Sequence, residues 1–174
     1  VHANEAVSLM TLGKKGHDIL SKTQTITTND NSIFDDLSYV NSSSIAQGFM
    51  DSFAAKEYDK VVVIYNRFKN AATQIVTTET VLPIVAEKTK SDNASADYIF
   101  EPTQEEIVNE LLPKSIKTQL FKALRDSFAS EHGARMTAMH KATDNATEMR
   151  DQLKLTYNQA RQASITNEIL EIVG

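Results

Sequence analysis

Residues 103–174 read TQEEIVNELLPKSIKTQLFKALRDSFASEHGARMTAMHKATDNATEMRDQLKLTYNQARQASITNEILEIVG, and this stretch decides the fold. Between Thr103 and Val173 the only glycine is Gly133 and the only proline is Pro113. Thr103 followed by Glu106 has the spacing of a capping box, in which each side chain satisfies an orphan backbone donor of the other. Pro113 falls early and is expected to kink the helix or to set its first turns apart. From there to Val173 nothing stops a helix. At 1.5 Å per residue, roughly sixty residues span about 90 Å. A domain of this size has no core that long, so most of the helix is expected to lie outside it.

The helix carries a seam. Met139, Ala142, Ala146, Met149, Leu153, Thr156, Ala160 and Ala163 recur at alternating spacings of three and four, an a/d heptad pattern. A lone helix of this composition is marginal in water, so the seam predicts a partner. Its alanines let a second helix approach closely, which favours a tight pair over a wide bundle. Upstream the same register passes through Phe128, His132 and Arg135 and turns polar. Around the seam stand Arg135, His140, Lys141, Asp144, Glu148, Arg150, Asp151, Lys154, Arg161 and Gln162. Their plainest reading is a solvated face with i,i+4 neighbours such as Glu148 and Gln152. The other reading is a shaft turning against other proteins. The end of the stretch, Ile165, Ile169, Leu170, Ile172 and Val173, is apolar where chain ends are usually polar. It predicts burial in a partner or a longer chain.

Before residue 103 the texture changes. Val7–Leu12 reads as a strand ending in a turn at Gly13-Lys14-Lys15-Gly16. Residues 23–44 are rich in Thr, Asn, Asp and Ser and read mostly as loop. Ile45, Ala46, Phe49, Met50, Phe53 and Ala54 form one apolar face at helical spacing. Val61–Tyr65 is short, continuous and β-branched, as in a strand covered on both faces. Residues 73–85 read as its hairpin partner across residues 66–72, residues 88–96 as a polar loop and Asp97–Phe100 as a last strand. The division is therefore a Rossmann-like α/β layer at 1–102 and a long helix at 103–174.

Composition bounds the chemistry. The 174 residues are 41% hydrophobic and 24% charged with a net charge of −5, a globular composition that argues against a nucleic-acid-binding surface. The absence of cysteine excludes disulfides, thiol nucleophiles and thiolate metal sites. No apolar run reaches the roughly 18 residues needed to cross a bilayer. The opening VHANEAV lacks a Met and reads as the middle of something longer. Asp35-Asp36, Glu105-Glu106 and Asp144 are the carboxylates that invite a catalytic reading. Adjacent helical residues do not face one another, so capping and solubility explain them better. His132 and His140 stand two turns apart, too far for one metal. Gly13-Lys14-Lys15-Gly16 lacks the phosphate-loop spacing and its Ser or Thr.

One resemblance is specific. Arg135-Met136-Thr137-Ala138-Met139, Ala142-Thr143-Asp144-Asn145-Ala146, Tyr157-Asn158 and Ala160–Gly174 resemble the C-terminal signature of the gamma subunit of F-type ATP synthase. The match covers about forty residues without a gap and includes polar positions that coiled-coil packing does not dictate. Ser130-Glu131-His132, Leu111-Leu112-Pro113 and the strand with Phe68 also fit. Glu131-His132-Gly133-Ala134 and Met139-His140-Lys141 are similar to versions from Bacteroidetes-type bacteria.

The resemblance implies a Rossmann-like domain plus a long C-terminal helix paired antiparallel with an N-terminal helix. That helix, the first strand and the short tail after Gly174 are absent from this sequence. It implies a central-stalk rotor, which couples proton-driven rotation of the membrane c-ring to ATP synthesis and hydrolysis at the beta-subunit sites. The implied partners are the alpha and beta subunits, the epsilon subunit and the c-ring, with no nucleic acid and no membrane insertion. The implied location is peripheral, on the cytoplasmic side of the bacterial plasma membrane. The resemblance implies no cofactor, no metal and no catalytic residue. Arg135 and Gln162 match positions that contact a beta-subunit loop, with Arg161 and Thr166 as neighbours on the same stretch. The alternative from a different class is a generic coiled-coil scaffold or adaptor with an α/β head. An enzyme using the α/β layer is a third reading, which would require nucleotide bound to the head.

Overall fold

The computed structural model describes residues 7–84, 101 and 103–174. The residues read as a loop at 88–96 and a strand at Asp97–Phe100 lie outside the described residues.

The first strand, β1 (Leu9–Leu12), pairs in parallel with β2 (Ile26–Asp30). Between them lies α1 (Lys14–Leu20). The expected turn at residues 13–16 is therefore confined to Gly13, and Lys14 already begins a helix. Gly13 makes the switch because its φ is +101°, and a Cβ there would stand 3.1 Å from the Phe34 ring. β2 corrects the reading of residues 23–44 as mostly loop. Its polar side chains pair across the strands: Thr11 Oγ1 donates to Asn29 Oδ1 at 3.0 Å, and the Ser8 and Thr27 hydroxyls meet at 2.7 Å. Beyond it Asp30 Oδ1 accepts from the backbone N–H groups of Ser32 and Ile33, an Asx turn that redirects the chain.

The helix expected from residue 45 begins earlier, as α2 (Tyr39–Ala54). Ser38 caps it, accepting from the Asn41 N–H at 3.3 Å. The anticipated face is the buried one as far as Phe53, while Ala54 is exposed. Next come β3 (Val61–Asn70) and β4 (Thr73–Leu82), an antiparallel hairpin paired from Val61↔Leu82 to Asn70↔Thr73. The connection is two residues, Ala71 and Ala72, shorter than the 66–72 expected.

The last element, α3 (Gln104–Val173), runs unbroken for 70 residues, about 105 Å, with Pro113 inside it. The capping box is present: Glu106 N–H donates to Thr103 Oγ1 and Thr103 N–H to Glu106 Oε2, both at 3.3 Å. α3 joins the core from Ile116 onward, while Val108, Leu111 and Leu112 in its first turns are exposed. Ile33, Ala46, Leu120 and Leu124 form one buried cluster, and Val81, Leu82 and Ile116 form another. Both clusters lie where α2 and α3 cover the same face of the β3–β4 hairpin. The other face is bare among the described residues: Ile64 and Val76 are 69% and 73% exposed. The run Val61–Tyr65 was expected to be covered on both faces, and only one is covered here. The layering is mixed α/β with a long C-terminal helix.

β1 pairs only with β2, and β3 only with β4, among the described residues. Between their two unpaired edges lies a slot of about 530 Å³. One wall is every residue from Val61 to Tyr65, the edge of β3, and the other is Ser8, Leu9, Met10 and Leu12 together with Thr27 and Thr28 of β2. Its floor is α2 and α3, at Phe49 and Leu124.

Candidate functional site

From Ala138 to Gly174 every residue of α3 is exposed except Asn158, which is half-buried. The seam therefore stands open. Met139, Met149 and Leu153, its three large side chains, are 57%, 63% and 64% exposed. Burying each against a partner is worth about 1.5–3 kcal/mol before the partner's ordering is counted. Local bonds stiffen this free portion without closing it. Thr143, Thr156 and Thr166 each donate to the carbonyl four residues back, at 2.9–3.1 Å. Gln152 donates to Glu148 at 3.5 Å, and Arg150 bonds its neighbour Asp151 at 2.9 Å. Such exposed pairs contribute little stability.

The register changes character at the head. Phe128, upstream in the same register, stacks on Phe34 with centroids 6.1 Å apart, and His132 meets the Phe128 ring edge-on at 4.4 Å. Phe128 therefore belongs to the head, and the open seam starts at Met139.

The four candidate contact residues divide into two places. Arg161, Gln162 and Thr166 share little more than one turn near the distal end, and Thr166 Oγ1 donates to Gln162 O at 2.9 Å. Arg135, half-exposed and bonded to Glu131 one turn earlier, lies about 40 Å lower along the axis. One loop cannot touch both places at once.

Two of the residues that invited a catalytic reading have structural work. Glu106 is committed to the capping box, and Asp36 accepts from Asn41 Nδ2 at 3.0 Å. Among the described residues no three His, Cys, Asp or Glu side chains converge as metal ligands would. No described helix is long and apolar enough to cross a membrane.

Sequence reasoning missed the half-buried polar network that joins hairpin and helix. The Tyr65 hydroxyl donates to Glu79 Oε1 at 2.8 Å, and Gln119 Nε2 donates to Glu79 Oε2 at 3.3 Å. Burial, then the bond to Glu79 and its charge, push the Tyr65 hydroxyl up to about 12. Alternation along β3 places Tyr65 on the inward face, but nothing in the sequence names its partner.

A family model described as ATP synthase matches residues 1–174. The chain is 64% identical to the ATP synthase gamma chain of Flavobacterium psychrophilum over 173 residues, 99% of this chain and 60% of that protein. The chain belongs to the ATP synthase gamma-chain family. A second gamma chain, from Flavobacterium johnsoniae, is 61% identical over the same share of both. The chain thus spans about 60% of the length of the gamma chains it matches. Among solved structures it is similar to a chain of the central stalk and c-ring of Tetrahymena thermophila mitochondrial ATP synthase. That likeness has a TM-score of 0.59 and 25% identity, covering 82% of this chain and 63% of the other. A chain of the Euglena gracilis mitochondrial ATP synthase rotor has the same fold, with a TM-score of 0.61 over 93% of this chain and 64% of that one.

Proposed function

We propose that this chain is part of the central-stalk rotor of a proton-driven F-type ATP synthase. The observation that carries the reading is the bare distal half of α3: a breaker-free rod with an alanine-rich seam, rooted at one end in an α/β head. The division runs at 102/103, with α3 from Ile116 to Thr137 packed against the head.

The seam takes an antiparallel helix, and the slot between β1 and β3 takes a strand, both from the part of the gamma chain that this sequence does not span. A central strand there would bond both free edges and merge the two small sheets into one. The paired rod stands inside the hexamer of alternating alpha and beta subunits, and the head meets epsilon and the c-ring. The assembly is peripheral, on the cytoplasmic side of the plasma membrane.

The mechanism is differential binding. An asymmetric shaft presents a different side to each of the three beta subunits, so each orientation stabilises a different conformation at each catalytic site. Turning the shaft exchanges these preferences, and ATP binding and release drive the reverse. A compliant rod would store work as bending and not deliver it, which a long uninterrupted helix pair avoids. In this reading Gln162, with Arg161 and Thr166, meets a beta-subunit loop near the tip, and Arg135 meets another lower down. The chain supplies contacts, and the chemistry belongs to the beta subunits.

The test is reconstitution of the full-length subunit with alpha and beta. We expect a complex that hydrolyses ATP, and slower turnover with intact assembly for Arg135→Ala plus Gln162→Ala. Unchanged turnover in that variant refutes the contact assignment. Failure of the wild-type subunit to assemble refutes the rotor reading and favours a generic scaffold.

A further inference from the structure

The shaft leaves the head where the β3–β4 hairpin and its tip touch α3, and the touching residues are small and aligned, two of them buried and Thr137 half-buried. Ser130 is 1% exposed, and its hydroxyl donates to the backbone carbonyl of Asn66 at 3.0 Å. One turn on, Gly133 lets the turn come so close that a Cβ would stand 3.1 Å from Ala71 Cα and 3.2 Å from the Phe68 ring. A further turn on, the Thr137 hydroxyl shares its proton between Ala71 O and its own helix at Gly133 O, each at 3.1 Å. Residues 130, 133 and 137 lie within about 60° of one another around the helix. They present two hydroxyls and a gap to a single strip of backbone.

The acceptors make this more than packing. Backbone carbonyls of a paired hairpin cannot follow a rotating helix as long side chains can. The tip itself is braced: the Ala72 N–H donates to Asn70 Oδ1 at 3.1 Å, and Gln74 Nε2 donates to Ala71 O at 3.0 Å. Turning α3 about its axis by one residue would bring Ala134 or Thr137's neighbours against the turn and remove both hydroxyl anchors. The contact sits directly below Met139, where the open seam begins.

We propose that the β3–β4 tip is a torque key. Ser130, Gly133 and Thr137 fix the rotational setting of α3 against the head, so that the two turn as one body where the shaft emerges. These are positioning residues, and the proposal rests on the rotor reading above.

The experiment uses the full-length subunit assembled with alpha and beta and held on a surface through the hexamer. A bead is attached to the head at Lys22→Cys, on the exposed turn after α1; this sequence has no other cysteine. Angular fluctuation of the bead during catalytic pauses reads the torsional stiffness between head and held shaft. For Ser130→Ala plus Thr137→Val we expect at least a twofold wider angular variance with hydrolysis within twofold of wild type. The single variant Thr137→Val, which keeps the volume, gives a smaller widening if the double variant assembles poorly. Thr137→Ser, which keeps the hydroxyl, restores the wild-type variance. Ser42→Ala removes another buried hydroxyl, one bonded within α2, and leaves the variance unchanged. An unchanged variance in both hydroxyl variants overturns the key alone. A wild-type complex that hydrolyses ATP without turning the bead overturns the rotor reading and the key with it.

Discussion

Replacing leucine by alanine at two points on the same helix separates its rooted and free portions. Leu120 is 2% exposed, in the cluster with Ile33, Ala46 and Leu124. Truncation removes three carbon groups from the core, about 2.4 kcal/mol of transfer free energy, and leaves a cavity beneath α2. Together these bring the expected loss to about 3–5 kcal/mol. Leu153 is 64% exposed, so its truncation forfeits little burial, and alanine is the better helix former. In this chain alone Leu153→Ala is expected to change stability by less than about 0.5 kcal/mol. In the full-length subunit, where the proposed antiparallel helix closes the seam, the same substitution is expected to cost about 2 kcal/mol. Urea unfolding followed by far-ultraviolet circular dichroism measures all four differences. A loss at Leu153 in the chain alone as large as that at Leu120 would overturn the free distal helix, because that helix would then be folded back onto something. No loss in the full-length subunit would refute the paired seam.

Other outcomes follow from single features. Gly13→Ala forces a side chain into φ +101° and against the Phe34 ring, so a loss of about 1–3 kcal/mol is expected in the same unfolding assay. Thr103→Ala removes half the capping box and costs about 1 kcal/mol. Pro113→Ala restores a helical N–H donor and is expected to raise stability by up to about 3 kcal/mol. For Tyr65, the folded protein holds the hydroxyl proton more tightly than the unfolded chain does. Its contribution is therefore complete below about pH 10 and is lost as pH rises from 10 towards about 12. Ultraviolet titration of phenolate should show a late step near 12 that Tyr65→Phe removes.

Much of this architecture is legible in the sequence because it is periodic. The 3.6-residue rhythm, the Thr103–Glu106 box and the β-branched runs of the hairpin are local signals that survive to the structure. The three-and-four seam is equally local and awaits the partner proposed for it. β2 was hidden because an edge strand can satisfy polar side chains across one neighbour, so Thr27–Asp30 looks like loop. α1 was hidden because Gly16 within Lys14–Leu20 reads as a turn. The rooting of α3 was present at Ile116, Leu120, Ala123 and Leu124, spaced four, three and one, but overshadowed by the seam downstream. Ser130 and Thr137 could not be read at all, since a lone hydroxyl on a helix acquires meaning only from the carbonyl opposite it. Arg135 and Gln162 lie at the other limit: on a solvated face no spacing distinguishes them, and only the family resemblance singles them out.

In the proposed assembly this rod turns inside a ring of catalytic subunits. Observing single full-length assemblies under ATP, with the bead on the head, tests it most directly. The bead is expected to rotate in one direction and to pause at three equally spaced angles per turn, one for each beta subunit. ATP hydrolysis at a normal rate with the head motionless against the hexamer would contradict it.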